Sequence, residues 1–305
     1  MNVLIIGGNG FIGSHLVDIF LQNGHKVRVF DYSSEKYRDK IKDVDYRIFN
    51  FDNTAELTES LADIDIVYHL AGSSVPSTSN LDPAMEIQKN LLPTIRLLEI
   101  MVKLNTKKIV YFSSGGTVYG NSIISPIHED QNLAPISSYG IIKVTIEHYL
   151  KLYERLYGIK ALIIRPSNPY GPRQGHQFTQ GVISTFLRKI QSGEELTVFG
   201  DGKSTKDYIY ISDLVEACYK LSLSNDSSEY NIGSGIVASI NEIIEVISEV
   251  TKKRPKINYT ESKEYDVQNF VLDISKLKKV IKWLPKISLR DGIQKHWDWI
   301  IENSE

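Results

Sequence analysis

Tyr139 and Lys143 stand four residues apart in Ser137-Ser138-Tyr139-Gly140-Ile141-Ile142-Lys143, a spacing that sets both on one face of a helix. An ammonium beside a phenol favours the phenolate. The expected result is a tyrosine of lowered pKa that exchanges a proton with a substrate hydroxyl near neutral pH. The same spacing recurs at Tyr32/Lys36 and Tyr259/Lys263. Position decides among the three, because only Tyr139 opens a helical pattern downstream of a serine–glycine strand end, Ser113-Ser114-Gly115-Gly116-Thr117.

A second set of residues points to a dinucleotide. Asn2-Val3-Leu4-Ile5-Ile6 is apolar and β-branched, and Gly7-Gly8-Asn9-Gly10-Phe11-Ile12-Gly13 follows without a spacer. Phe11, Ile12, Leu16, Ile19 and Phe20 then recur at helical spacing. Strand, glycine turn and helix come in the order a pyrophosphate needs. Gly7 permits the turn, Gly10 lets backbone approach phosphate, and Gly13 lets the helix pack on the strand. A second strand, Lys26-Val27-Arg28-Val29-Phe30, ends at Asp31, where a carboxylate would accept bonds from a ribose 2′-hydroxyl and repel a 2′-phosphate. NAD is therefore expected over NADP.

The elements that must position these groups alternate. Further strands are expected at Tyr46–Phe51, Asp65–Leu70, Lys107–Ser113 and Lys160–Arg165, with helices near 54–62, 83–104 and 139–157. Such alternation predicts an α/β fold, a doubly wound parallel sheet of Rossmann type, with ligands at the carboxyl ends of the strands. After Pro169-Tyr170-Gly171-Pro172-Arg173-Gln174-Gly175 the pattern weakens to a helix near 179–192, a strand at Leu196–Phe199 and further helices. The expected division is 1–170 for the NAD-binding domain, with later returns to the sheet, and 171–305 mainly for a smaller substrate-binding lobe.

Composition narrows the classes. Of 305 residues, 42% are apolar, enough for a sizeable core, and the net charge of −2 gives no field for nucleic acid or an anionic membrane. One cysteine, Cys218, allows no internal disulfide. No apolar run reaches membrane-spanning length, and a strand beginning at residue 2 leaves no room for a signal peptide. A cytoplasmic protein with no metal site is expected.

Taken in order, these motifs resemble the extended short-chain dehydrogenase/reductase family acting on nucleotide sugars, most of all its UDP-glucose 4-epimerase group. The resemblance runs through Gly7/Gly10/Gly13, Asp31, Asp52-Asn53, His69-Leu70-Ala71-Gly72, Asn90, Ser113-Ser114, Val118-Tyr119-Gly120 and Tyr139/Lys143. It continues through Arg165-Pro166-Ser167-Asn168-Pro169-Tyr170-Gly171-Pro172, Val198-Phe199-Gly200-Asp201-Gly202, Asp207-Tyr208-Ile209-Tyr210 and Asp213. It implies that Phe11 and Ile12 meet the pyrophosphate through backbone, that Asp52 and Asn53 read the adenine, and that Leu70, Ala71, Gly72, Asn90, Ser113 and Ser167 line the cofactor cleft. It also implies that Ser114 and Gly115 border the sugar, that Asn168 binds phosphate, and that Val182 and Thr197, Val198 and Phe199 hold the base.

Departures from the family pattern carry as much weight. The Ser or Thr that stands three residues before the Val of V-Y-G is Gly115 here, so Thr117 is the nearest candidate for the catalytic hydroxyl, with Ser114 next and Tyr139 working alone as the third reading. Two clamping arginines are Lys206 and Lys263, with Asp266 kept; lysine retains the charge and loses the fork. Phe270 falls where the group gates space beside the sugar's C2 substituent, which predicts preference for plain hexoses. Family dehydratases carry an Asp-Glu pair at Gly116 and Thr117, and decarboxylating relatives a Glu at Thr117; neither carboxylate exists here.

The expected activity is inversion at C4 of a UDP-glucose or UDP-galactose type substrate through a transient 4-keto sugar. A reductase of a 4-keto-6-deoxy nucleotide sugar and a non-catalytic NAD-binding regulator are the alternatives. A homodimer is expected from apolar residues on the helices near 83–104 and 139–157, among them Leu91, Leu92, Leu97, Leu98, Ile146, Tyr149, Leu150 and Tyr153.

Overall fold

Short β-branched runs that are apolar on both faces can be satisfied only inside a sheet covered by helices on each side. The computed structural model, which describes residues 1–72, 78–122, 124–175, 181–261 and 269–303, builds that arrangement. The chain opens β1 (Asn2–Ile6), α1 (Phe11–Gln22), β2 (Lys26–Asp31), β3 (Val44–Ile48), α2 (Thr54–Ser60) and β4 (Ile66–His69). A short α3 (Pro83–Glu86) runs into a π-helical turn (Ile87–Leu91) and then α4 (Leu92–Leu104). β5 (Lys108–Phe112), α5 (Ser138–Tyr157) and β6 (Lys160–Pro166) complete the regular alternation.

The remainder is β7 (Asn168–Tyr170), α6 (Val182–Ser192), β8 (Leu196–Phe199), β9 (Thr205–Tyr210), α7 (Ile211–Leu223), β10 (Glu229–Ile232), β11 (Val237–Ser239), α8 (Ile240–Thr251), β12 (Ile257–Thr260), α9 (Ser275–Ile281) and α10 (Leu289–Glu302). Seven strands form one sheet in the order β10-β6-β5-β4-β1-β2-β3. Every pairing from β6 across to β3 is parallel. The chain leaves β1 in one direction for β2 and β3 and in the other for β4 and β5. That reversal opens the crevice in which doubly wound sheets bind ligands.

The chain divides into two compact units. The first comprises 1–120, 132–165 and 215–230, and the second 121–131, 166–214 and 231–305. In the first, strand residues Leu4, Ile6, Val67, Ile109, Tyr111 and Ile163 pack with Leu57 and Leu61, with Leu97, Leu98 and Met101 of α4, and with Ile142, Ile146 and Leu150 of α5. This corrects part of the dimer argument. Leu97, Leu98, Ile146 and Leu150 serve the chain's own core; of the expected residues Leu92 is exposed, joined on α4 and α5 by Leu104, Ile141, Leu152, Leu156 and Tyr157.

Two boundaries differ from expectation. The single helix expected over 83–104 is interrupted by the π-turn. The third strand lies at 44–48 because Asn53 caps α2, its side chain accepting from the Glu56 amide, and donates its own amide to Asn50 O at 2.9 Å. That turn takes the chain out of the ladder before Phe51.

In the second unit β9 is central to a three-stranded sheet, and β12 pairs in parallel with β8. Asp207 on β9 is fully buried and accepts from Ser234 N and Oγ, both at 2.8 Å, from Gly235 N at 3.2 Å and from Leu272 N at 3.4 Å. Burial pushes its carboxyl up while these donors pull it down. One carboxylate thus ties two loops to the strand.

Candidate active site

Backbone crowding forms the glycine turn. Gly7 has φ +85°, a conformation costly for other residues, and its amide donates to Phe30 O at 2.8 Å. A Cβ on Gly13 would stand 2.7 Å from Gly8 Cα and 2.9 Å from Gly7 C, so α1 can lie this close only with glycine there. α1 begins at Gly10 without a side-chain cap. The first-turn amides, those of Phe11 and Ile12 among them, can therefore be offered to an anion.

Asp31 closes the turn from below. Its Oδ2 accepts from Asn9 N at 3.0 Å, and Oδ1 from Ser33 N at 3.0 Å and Ser33 Oγ at 3.1 Å. Burial raises its carboxyl. Three bonds leave a carboxylate with acceptor capacity for one more hydroxyl. Ala71 abuts the turn, its amide 3.1 Å from where a Gly7 Cβ would lie, whereas a Cβ on Gly72 meets nothing within 4 Å. Leu70 N donates to Ile6 O at 2.9 Å and carries β4 to the same floor. Asp52 is exposed and 3.9 Å from Lys89 Nζ.

Ser137 caps α5, its side chain accepting from Gly140 N at 3.2 Å, and this places Tyr139 in the first turn. Lys143 Nζ lies 5.4 Å from the Tyr139 ring centre and 4.9 Å from that of Tyr111, and donates to Phe112 O at 2.7 Å. Ala71, Gly72, Asn90, Tyr139 and Lys143 share one small pocket with Glu86, Tyr111, Ile142 and Ile146. The electrostatics correct the expected phenolate. Burial, with Glu86 adding to it, pushes Tyr139 up to about 12. Burial also pushes Lys143 down to about 8, against the pull of Glu147 and Glu86. Desolvation and Glu86 thus leave Tyr139 a neutral phenol in the protein alone.

The segment before α5 packs against that first turn. A Cβ on Gly140 would lie 3.1 Å from Thr117 O. The Thr117 hydroxyl oxygen is buried with no hydrogen-bond partner among the described residues, and the same holds for the hydroxyls of Tyr111 and Ser167. Ser114 O accepts from Val118 N at 3.4 Å, and Gly115 within that turn is buried. Ser113 instead faces inward, Oγ donating to Glu147 Oε1 at 2.5 Å.

Glu147 also takes a fork from Arg165, Nε at 3.1 Å and Nη2 at 2.6 Å, while Arg165 Nη1 donates to the Tyr119 hydroxyl at 2.8 Å. Sequence reading passed over this ion pair and over Glu86, and gave His69 no role of its own. Glu147, at i+4 from Lys143, was the available signal; a π-turn leaves none.

A cavity of about 300 Å³ in the second unit brings together six residues singled out from sequence: Asn168, Val182, Thr197, Val198, Phe199 and Lys206. Asn168 Nδ2 donates to Asp207 O at 2.9 Å. Tyr170, Gln174 and Tyr208, which the sequence motifs contained without a role, and Phe186, which they did not, add walls. Phe270 is buried, pairs through backbone with Lys206, and stands outside these lining residues. Lys263 and Asp266 lie outside the described residues.

The fold matches known proteins along the whole chain. Residues 3–233 fit the model of the NAD dependent epimerase/dehydratase family. The chain belongs to that family. UDP-glucose 4-epimerase of Mycolicibacterium smegmatis is 31% identical over 315 residues, covering 100% of both chains. Among solved structures, UDP-glucose 4-epimerase of Thermotoga maritima with UDP-glucose superposes with a TM-score of 0.93 at 34% identity over 99% of each chain. A UDP-N-acetylglucosamine 4-epimerase of Methanobrevibacter ruminantium, in complex with UDP-N-acetylmuramic acid, gives 0.93 at 30% over 99% of each. Membership makes this an enzyme fold of the nucleotide-sugar epimerase class whose cofactor is NAD.

The residues present fit that cofactor. The turn admits no Cβ on its inner side at Gly13, the first turn of α1 carries no side-chain cap, and Gly72 opens onto clear space. Among the described residues, no cluster of His, Cys, Asp and Glu could hold a metal ion, and no helix is long and apolar enough to cross a membrane.

Proposed function

We propose that this protein is a nucleotide-sugar 4-epimerase acting on substrates of the UDP-glucose/UDP-galactose type. The observation that carries the reading is the pairing of Tyr139 and Lys143 on one wall of a pocket, beside a 114–117 turn that holds no carboxylate. Dehydration and decarboxylation need such a carboxylate; a proton transfer at O4 needs only the phenol.

Bound NAD supplies the hydride acceptor and donor, so no net oxidant is consumed. Gly7, Gly10, Phe11, Ile12 and Gly13 hold its pyrophosphate through backbone, Asp31 its ribose, Asp52 and Asn53 its adenine. Leu70, Ala71, Gly72 and Asn90 form the rest of its cleft, without the Ser113 hydroxyl, which is spent on Glu147. Tyr139 takes the proton from O4 as C4 is oxidised and returns it when the 4-keto sugar is reduced on its other face. A buried neutral phenol needs positive charge nearby to do so, and Lys143 is the residue that brings it. Thr117 offers the hydroxyl that Gly115 lacks, its oxygen buried with no partner among the described residues.

Asn168 and Lys206 bind the diphosphate, with Lys263 and Asp266 from the next segment. Val182 and Thr197, Val198 and Phe199 hold the base. Ser114, Gly115 and Phe270 border the sugar. Lys206 supplies charge without a fork, so diphosphate binding is less directional than with arginine.

A second copy of this chain is the proposed partner, and the cytoplasm its place. Outward apolar residues on α4 and α5, Leu92, Leu152, Leu156 and Tyr157, support the pairing. A monomeric mass by light scattering at micromolar concentration would overturn it.

The deciding experiment incubates the protein with UDP-glucose, UDP-galactose and their N-acetyl forms and follows products by NMR and NADH by absorbance. Epimer without net NADH change is expected. Stoichiometric NADH consumption with a 4-keto-6-deoxy sugar would mean a reductase, and neither signal a regulator. Tyr139→Phe should lose on the order of 10²–10⁴-fold in turnover while its circular dichroism stays unchanged.

A further inference from the structure

Glu86 ends α3 immediately before the π-turn, and only 4% of it is exposed. Asn90, inside that turn, donates Nδ2 to Glu86 Oε2 at 3.0 Å. A π-turn adds a residue to the helical repeat and re-aims the side chains around it; such turns collect at functional sites. Here it brings Glu86 and Asn90 to the wall of a space of about 10 Å³ that Tyr111, Tyr139 and Lys143 also line. An ionised carboxylate is expensive to bury unless a cation or several donors answer it.

The charged and titratable groups facing Lys143 and Tyr139 come from five elements. His69 on β4 is pushed down to about 3 by burial and by Lys143, and is neutral. Tyr111 on β5 is held protonated by burial. Glu147 on α5 shares its charge with Arg165 on β6. Glu86 on α3 is the remaining carboxylate on this pocket wall among the described residues.

We infer that Glu86 is a positioning residue for the acid–base step: held by Asn90 and the π-turn, its carboxylate keeps the Lys143 ammonium in place and fixes the pH range over which Tyr139 can exchange its proton. The inference rests on the reading of Tyr139 as the acid–base group. A negative charge at this place disfavours the phenolate and favours the ammonium, so its loss lets both groups release protons more easily.

Glu86→Gln keeps the shape and an acceptor for Asn90 while removing the charge. Both limbs of the pH dependence of kcat should move to lower pH, by about one unit, and Glu86→Asp, which keeps the charge at a shorter reach, should move them less in the same direction. Ultraviolet difference titration of the phenolate, with Tyr139→Phe versions subtracting the other tyrosines, should show the same displacement independently of turnover. Limbs and titration unchanged in Glu86→Gln would overturn the inference. Tyr139→Phe with full turnover would instead overturn the reading beneath it. If the Gln protein does not fold, the titration is made on Glu86→Asp, where a shortened reach should give a smaller displacement in the same direction, and none would overturn the inference.

Discussion

Gly13→Ala tests the dinucleotide cradle at the point where the structure leaves least room. The added carbon would lie 2.7 Å from Gly8 Cα and 2.9 Å from Gly7 C, and closer still to Gly7 O. These are backbone atoms that no rotamer change can move aside. Restoring ordinary contact at 3.4 Å with Gly8 Cα alone moves the start of α1 away from the turn by about 0.7 Å, and clearing Gly7 O takes more. Overpacking on that scale costs about 1–3 kcal/mol of stability. The same movement displaces the Phe11 and Ile12 amides from any phosphate they hold. Misplacement near 1 Å costs on the order of 10²-fold where geometry is critical, so NAD affinity should fall by about ten- to a hundredfold. Calorimetric titration with NAD and thermal unfolding measure both effects. Gly72→Ala is the control for stability, since its Cβ meets nothing within 4 Å and the melting temperature should hold. Wild-type affinity and melting temperature in Gly13→Ala would refute the argument from close approach.

Three further outcomes are expected. Arg165→Met strands the Glu147 carboxylate, with both side chains 2% exposed, and should cost about 3–5 kcal/mol in denaturant unfolding. A loss no larger than a surface substitution would show that the buried pair is not a fixed unit. His69 has a folded pKa of about 3 against 6.5 when unfolded, so the unfolded chain binds the extra proton between those values. Stability is therefore full above pH 6.5 and falls as pH drops toward 3, by about 1.4 kcal/mol for each pH unit well inside that window; unfolding midpoints at pH 7 and pH 5 read it, with His69→Phe flattening the slope. Asp207→Asn removes the charge that four donors share and should cost about 1–3 kcal/mol; an unchanged midpoint would count against its role as the tie between two loops.

Much of this protein was legible in its sequence because local rules act alone there. A glycine with positive φ, a helix that needs room at Gly13 and β-branched runs covered on both faces are each decided within a few residues. They determined the order of strands and helices, the parallel sheet, the cradle and the Tyr139/Lys143 pair. What the sequence could not decide was the balance of long-range terms. Proximity of an ammonium argued for a phenolate at Tyr139, but burial by residues far along the chain, with Glu86 among them, reverses the sign. The apolar residues of α4 and α5 read as more than one core-facing stripe could use until the sheet claimed Leu97, Leu98, Ile146 and Leu150 for its core. The π-turn that turns Glu86 inward has no composition of its own. Desolvation and helix registry depend on which surfaces meet, and only the tertiary structure brings those surfaces together.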